Sequence, residues 1–333
     1  MSENNGGTDI AREYRKRYGM EMPTTKLARI MYSDNPLIFK DVETARYRLR
    51  YIEGKTGATK RRFMDTPEIG DRPKNPYKLP ESSAEDRKPF ILPTGCNSIL
   101  LISDLHIPYH DVNAITLALE YGVKENVNTI FINGDLMDFH HLSRFQKDPR
   151  KRSVKHEFSV TKEFLRVLRT VFPTQQIYWL KGNHCMRYEH WLMSKVYEVF
   201  DDEYYHLEQR LALHEERVHI IDDNVLVKAG QLAITHGHHV MRGFFSPVNS
   251  ARGAWMKAKQ SVIISHVHKV SNHVEVNLDG DNFGAWSTGS LCELRPDYSP
   301  LVSNYQHGFA HITTDTTGDF QVRNFHIING KLH

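Results

Sequence analysis

The chain has 333 residues, 40% of them hydrophobic and 25% charged, with a formal net charge of +3, which excludes a disordered polyelectrolyte and suffices for one large domain plus a smaller one. Its cysteines, Cys96, Cys185 and Cys292, are too few and too scattered for a disulfide framework or a zinc knuckle, so a reducing, cytoplasmic setting is expected. The start of the chain has no apolar signal-peptide core and no apolar run reaches about 18 residues, so no membrane partner is expected.

Residues 1–62 form the first predicted part, helical and basic, with 14 Lys/Arg against 8 Asp/Glu. "TDIAREYRKRYG" starts with Thr8 as a plausible N-cap, and "TTKLARIMY" follows Pro23. In "KDVETARYRLRYIEGKTG", Val42, Ala45, Leu49 and Ile52 recur at helical spacing and Gly54 offers a C-cap. Helix, turn and second helix with off-stripe Arg46, Arg48 and Arg50 outline a helix-turn-helix-like domain. Those arginines are candidate DNA-phosphate contacts. A small basic docking or packing element with solvated arginines fits the same residues equally well.

Residues 63–97 hold six of the chain's 14 prolines and no hydrophobic period, so a linker is predicted. From 98 to 333, strands and helices alternate. "SILLIS", "NTIFING", "QIYWLKG", "LAITHG" and "VIISH" are predicted buried strands. "VNAITLALEYGVKE" and "KHEFSVTKEFLRVLRTVF" are predicted helices, and the C-terminal part reads as strands joined by "DGDN" and "TTGD" turns. The expected class is α/β, two sheets in a sandwich flanked by helices.

Each predicted core strand ends in residues that can bind metal. The first gives Asp104 and His106, which an extended backbone points the same way. The second gives Asp135 and Asp138, and the third Asn183 and His184. The last two give His236 with His238, and His266 with His268. Ligands gather outside the carboxyl ends of strands in open α/β sheets, so these groups are expected to meet. Oxygen and imidazole donors suit borderline divalent ions, and the number of donors exceeds what one ion takes. Two divalent ions are expected, drawn from Mn, Fe, Zn, Ni or Co.

D-x-H, G-D-x-x-D, G-N-H, H-G and H-x-H, in that order between Leu100 and His268, resemble the calcineurin-like metallophosphoesterase superfamily. The resemblance implies a metallophosphoesterase-type sandwich and a dinuclear phosphoester hydrolase that attacks with a metal-bridged hydroxide. It implies that Asp104, His106 and His268 hold one metal, that Asn183, His236 and His266 hold the other, and that Asp135 bridges them. It further implies that His184 gives a proton to the leaving oxygen and that Asp138 orients His184. Asp138 is also readable as the cap of a following turn. The chain departs from the common pattern at Cys185, often acidic in relatives, and at Ser265, often glycine. Cys185 beside the metals suggests sensitivity to oxidation.

Arg187, Arg242 and His238 are candidate substrate contacts, with a supporting role as the plainer reading for His238 and packing for the neighbouring Trp191. His140 and His141 are expected on a loop, as phosphate contacts or, equally well, as solvated histidines. With the basic first part, the leading expectation is a phosphodiesterase or nuclease acting on nucleic acid, similar to the DNA-repair nucleases of this superfamily, in a phage or bacterial setting. The alternatives are a phosphomonoesterase acting on phosphoprotein or nucleotide, and a DNA-binding protein with a degenerate metal core.

Overall fold

Helix periodicity and polar caps build the first of two units into which the chain divides, Met1–Glu85 and Asp86–His333. The computed structural model describes residues 6–19, 22–53, 80, 88–143, 153–241, 248–295 and 304–333. Gly54, Arg242 and most of 63–87 lie outside the described residues.

In the first unit, α1 spans Gly6–Tyr18, α2 Thr24–Asp34 and α3 Val42–Ile52. Thr8 lies inside α1 and does not cap it. Asp41 caps α3, its carboxylate accepting from the Thr44 amide at 2.7 Å. The apolar stripe of α3 buries Ala45, Leu49 and Ile52 against Ala11, Leu27, Met31 and Phe39. Arg15 is fully buried, paired with Glu53, and donates to the carbonyls of Gly19 and Met22 at 2.9 and 2.7 Å. Thr24 donates to the same Glu53 carboxylate at 2.9 Å. One basic side chain is thereby spent on joining the ends of three helices, its buried charge fully met. The α2–α3 connection, Asn35–Asp41, is longer than the three or four residues of a helix-turn-helix turn.

The second unit carries two sheets. Its elements are β1 Phe90–Ile91, β2 Ser98–Ile102, α4 Val112–Lys124, β3 Thr129–Asn133, α5 Val154–Val171, β4 Gln176–Leu180 and α6 Met186–Lys195. There follow α7 Leu207–Leu211, β5 Val218–Ile221, β6 Val227–Ala229, β7 Leu232–Ile234, α8 His238–Met241, α9 Ser250–Ala258 and β8 Val262–Ile264. The chain ends with β9 Ser271–Val276, β10 Asn282–Ser287, β11 His307–Thr314, β12 Phe320–Ile328 and β13 Lys331–Leu332. One sheet has the order β13-β12-β11-β2-β3-β4-β5 and the other β1-β6-β7-β8-β10-β9. The end of the expected linker is part of the second: Phe90 and Ile91 pair in parallel with Val227 and Lys228.

Alternation assigns the strand faces. Ile99 and Leu101 of β2 and Phe131 of β3 point inward and meet Val227, Leu232, Ile234 and Ile263 of the other sheet. Leu100, Ile102, Ile130 and Ile132 point the other way, onto Ala118 of α4 and Leu165 and Leu168 of α5. On the far face of the second sheet, Ala233, Val262 and Ile264 receive Ala251 and Ala254 of α9. Two sheets packed face to face with helices outside is the expected mixed α/β sandwich.

The topology prepares the site. β2, β3 and β4 are adjacent and parallel, and so are β7 and β8. Their carboxyl ends therefore release five loops on one side of the sandwich.

Candidate metal centre

The loops leaving β2 and β3 are tied together, because the amides of His106 and Ile107 donate to the carbonyls of Asp135 and Leu136 at 3.0 Å each. The loops leaving β7 and β8 are tied the same way, Ser265 donating to the His236 carbonyl at 2.9 Å. Asp104, His106, Asp135, His266 and His268 adopt φ of 52°, 47°, 32°, 69° and 54°. Such left-handed backbone costs non-glycine residues about 1–3 kcal/mol each and concentrates at functional sites. Two glycines make room. A Cβ on Gly182 would overlap Asp135, and one on Gly134, at φ +85°, would overlap the His236 ring.

The predicted ligands meet. His268 Nε2 lies 3.3 Å from Asp104 Oδ1 and 3.2 Å from His106 Nε2. His236 Nε2 lies 3.2 Å from both Asp135 Oδ2 and Asn183 Oδ1. Asp135, His236 and His266 converge as a group of potential metal donors, and so do His106, Asp135 and His184. Asp135 belongs to both groups, at the middle of the cluster.

Several of these contacts are of the kind that a shared cation makes. Asp104 Oδ1 is buried with no hydrogen-bond partner, yet the Nε2 atoms of His268, His106 and His236 stand 3.3, 3.8 and 4.0 Å from it. Donors bonded to one tetrahedral ion at about 2.0–2.2 Å lie about 3.3 Å apart. Imidazole nitrogens facing one another and a carboxylate at that spacing fit the group.

The electrostatics agree. Burial alone would raise the Asp104 carboxyl, but the neighbouring His268 and His236 bring it down to about 2. Burial likewise opposes ionisation of Asp135, and His236 and His184 outweigh it, leaving the carboxyl well below its ordinary range. Burial disfavours a charged His236, yet Asp135 and Asp104 lift it to about 9. Burial and the adjacent His236 push His266 down to about 4. Two buried carboxylates thus stay ionised and draw positive charge to one spot.

His184 and Asp138 stand beside this cluster. The Asp138 carboxylate takes 3.1 Å and 3.2 Å contacts from the Nδ1 atoms of His184 and His106. It holds two imidazoles, where the sequence suggested one, and it caps no turn with these contacts. The His184 amide donates to Asp135 Oδ1 at 2.8 Å. Arg187 places Nη2 2.8 Å from His184 Nε2 and donates through Nη1 to the Asp138 carbonyl at 2.9 Å. Arg187 therefore faces the site. Burial, His106 and Arg187 lower the His184 pKa against the pull of Asp135.

Both departures from the common pattern acquire an explanation. Ser265 accepts from Asn133 Nδ2 at 2.8 Å and meets Thr288 at 2.9 Å, linking the end of β3 to the loop after β8. Cys185 is fully buried, and burial with the nearby Asp135 raises its thiol to about 12. A buried thiol pushed up in this way is not the exposed, easily ionised kind that oxidises readily, which counts against the expected oxidation sensitivity. Cys292, with Sγ 4.0 Å from His268 Nδ1, is the cysteine at the cluster. It arrives after β10, and no local pattern marks it.

Other expectations resolve locally. His140 is buried in a short turn and not solvated. Asp111 caps α4, accepting from the Ala114 amide at 2.8 Å. His238 starts α8, and its ring lies 5.4 Å from that of His236. The Tyr305 ring stands edge-on to His268 at 4.3 Å, a neighbour the sequence did not suggest. No helix among the described residues is long and apolar enough to cross a membrane.

Comparison with known proteins adds the following. The pattern of the calcineurin-like phosphoesterase family matches residues 98–296. The Gene 54 protein of Mycobacterium phage L5 is 26% identical over 231 residues, 65% of this chain and 89% of that protein. Wild-type Vps29 of Entamoeba histolytica, solved in complex with zinc, is 16% identical with a TM-score of 0.38, covering 71% of this chain and 96% of its own. YfcE, a phosphoesterase from E. coli, is 15% identical with a TM-score of 0.32, covering 65% of this chain and 91% of its own.

Proposed function

The chain belongs to the calcineurin-like phosphoesterase family, and from that premise we propose that it is a phosphodiesterase acting on nucleic acid. Family membership makes it a metal-dependent phosphoric ester hydrolase. In our reading Asp104, His106 and His268 hold one divalent ion, Asn183, His236 and His266 hold a second, and Asp135 serves both. The crowding of imidazole nitrogens and carboxylate oxygens around Asp104 and Asp135 supports this assignment. Bound ions supply Lewis acidity toward the phosphoryl oxygens and toward water.

The chain's own groups do the rest. Asp138 keeps His184 Nδ1 engaged, so the exchangeable proton of this imidazole is the one on Nε2. Arg187 can only donate, so its contact with Nε2 corresponds to the unprotonated imidazole. When Nε2 carries a proton, Arg187 has to leave it and can meet a phosphoryl oxygen. His184 then gives that proton to the departing oxygen.

The basic helical unit is the observation that carries the nucleic-acid reading. Arg46 and Arg50 are one helical turn apart on α3, Arg50 is exposed and Tyr47 is 52% exposed beside them. Arg46 shares its position with Glu43 at 3.2 Å, an exposed pair that a phosphate could readily displace. Arg48 sits over Gly7 of α1 and contributes less.

With Mn²⁺ added, the purified full chain is expected to hydrolyse bis-p-nitrophenyl phosphate faster than p-nitrophenyl phosphate, and to cleave DNA. An R46E/R50E double variant should keep its rate on the small diester. Its DNA affinity should fall, with the slope of log K against log salt shallower by about 2. A preference for the monoester with no DNA cleavage would sink the proposal and favour a phosphomonoesterase.

A further inference from the structure

A second convergence of metal-binding side chains lies beside the dinuclear cluster and shares none of its proposed ligands. After His236 the chain turns at Gly237, whose φ of +116° suits glycine alone. α8 then begins at His238. His238 Nε2 lies 3.2 Å from Asp223 Oδ2, and His239 Nε2 lies 3.1 Å from the same oxygen. Asp223 comes from the loop after β5, far away in sequence.

We propose that Asp223, His238 and His239 form a separate seat for one further divalent cation of the zinc type. Three features carry this. Consecutive residues of a helix do not face one another, yet both imidazoles here reach one carboxylate oxygen. The donor spacings of 3.1 and 3.2 Å approach the roughly 3.3 Å edge of a zinc tetrahedron. The donor set, two imidazoles and a carboxylate without thiolate, suits a borderline ion and leaves a fourth corner for water or a phosphoryl oxygen.

Solvent can deliver the ion. The side chains of Asp223 and His238 are 13% and 15% exposed and that of His239 is 48% exposed. His238 Nδ1 is buried with no hydrogen-bond partner, so Asp223 is the polar group that orients the ring. The ring lies 5.4 Å from that of His236 and 6.0 Å from that of His266. An ion here would put positive charge at the rim of the centre, where a phosphate next to the scissile one can be met. The seat is independent of whether the substrate is a diester or a monoester.

The test is equilibrium dialysis of the full chain against Zn²⁺, at a free concentration that just saturates the wild type, with bound metal counted by mass spectrometry. D223N and H239A are compared with the wild type, and circular dichroism verifies that each is folded. His239 is exposed, so H239A keeps the measurement informative if D223N is unstable. Each variant is expected to bind one equivalent fewer than the wild type. Equal binding by wild type and variants would overturn the proposal. A loss of two or more equivalents would overturn it as well, because these residues would then belong to the dinuclear cluster.

Discussion

Asp135→Asn is expected to release bound metal and to lower kcat/KM for a phosphodiester by about 10³-fold or more, since electrostatic stabilisation by metal is worth several kcal/mol. The carboxylate is 1% exposed. Its Oδ2 lies 3.2 Å from His236 Nε2, 3.9 Å from His106 Nε2 and 4.0 Å from His184 Nε2. One buried negative charge therefore answers to three imidazoles, and it is the charge shared by both proposed ion seats. Asparagine keeps the volume and, through its carbonyl oxygen, can still accept from the His184 amide. The loop should hold while the charge is lost. Metal content by mass spectrometry and steady-state kinetics check this. A variant that keeps its metal and stays within tenfold of wild-type activity would remove Asp135 from the centre.

His184→Ala acts on a different step and carries the second large effect. A positioned general acid contributes about 10²–10⁴-fold. Loss of His184 is expected to lower kcat by that order when the leaving group is an alkoxide, as in DNA. With p-nitrophenolate, which departs without a proton, the loss should be much smaller. Metal content should stay near normal. That readout matters, because His184 also converges with His106 and Asp135 as a potential metal donor. Metal loss, or an equal rate loss on both leaving groups, would make it a ligand and not the acid. The Asp138 contact at 3.1 Å predicts that Asp138→Asn gives a milder version of the same leaving-group dependence.

The layout of the sandwich was legible because it rests on local periodicity. "SILLI", "TIFIN" and "QIYWL" form β2, β3 and β4 as short apolar runs do when both faces are buried. The candidate ligands were legible because each follows such a run by two to four residues, where a parallel strand must end in a loop. What escaped detection depends on partners distant in the chain. Asp223 meets His238 and His239 across 15 and 16 positions. Ser265 meets Asn133 across 132, and Arg15 meets Glu53 across 38. Arg15 illustrates the difficulty: as part of a basic helix it reads as solvated, and only the helix packing shows it buried. Cys185 misled in the opposite direction. Adjacency to a ligand suggested reactivity, whereas its side chain turns into the core and burial pushes its thiol up. Phe90 and Ile91, in a proline-rich stretch, form a strand because β6 offers them an edge.

Anomalous diffraction from crystals of the full chain soaked in Mn²⁺ tests the central claim most directly, because it locates ions without reference to activity. Two peaks are expected, on either side of the Asp135 carboxylate, one bounded by Asp104, His106 and His268 and the other by Asn183, His236 and His266. A single peak beside Asp135, or none there, would contradict a dinuclear centre built from these seven residues.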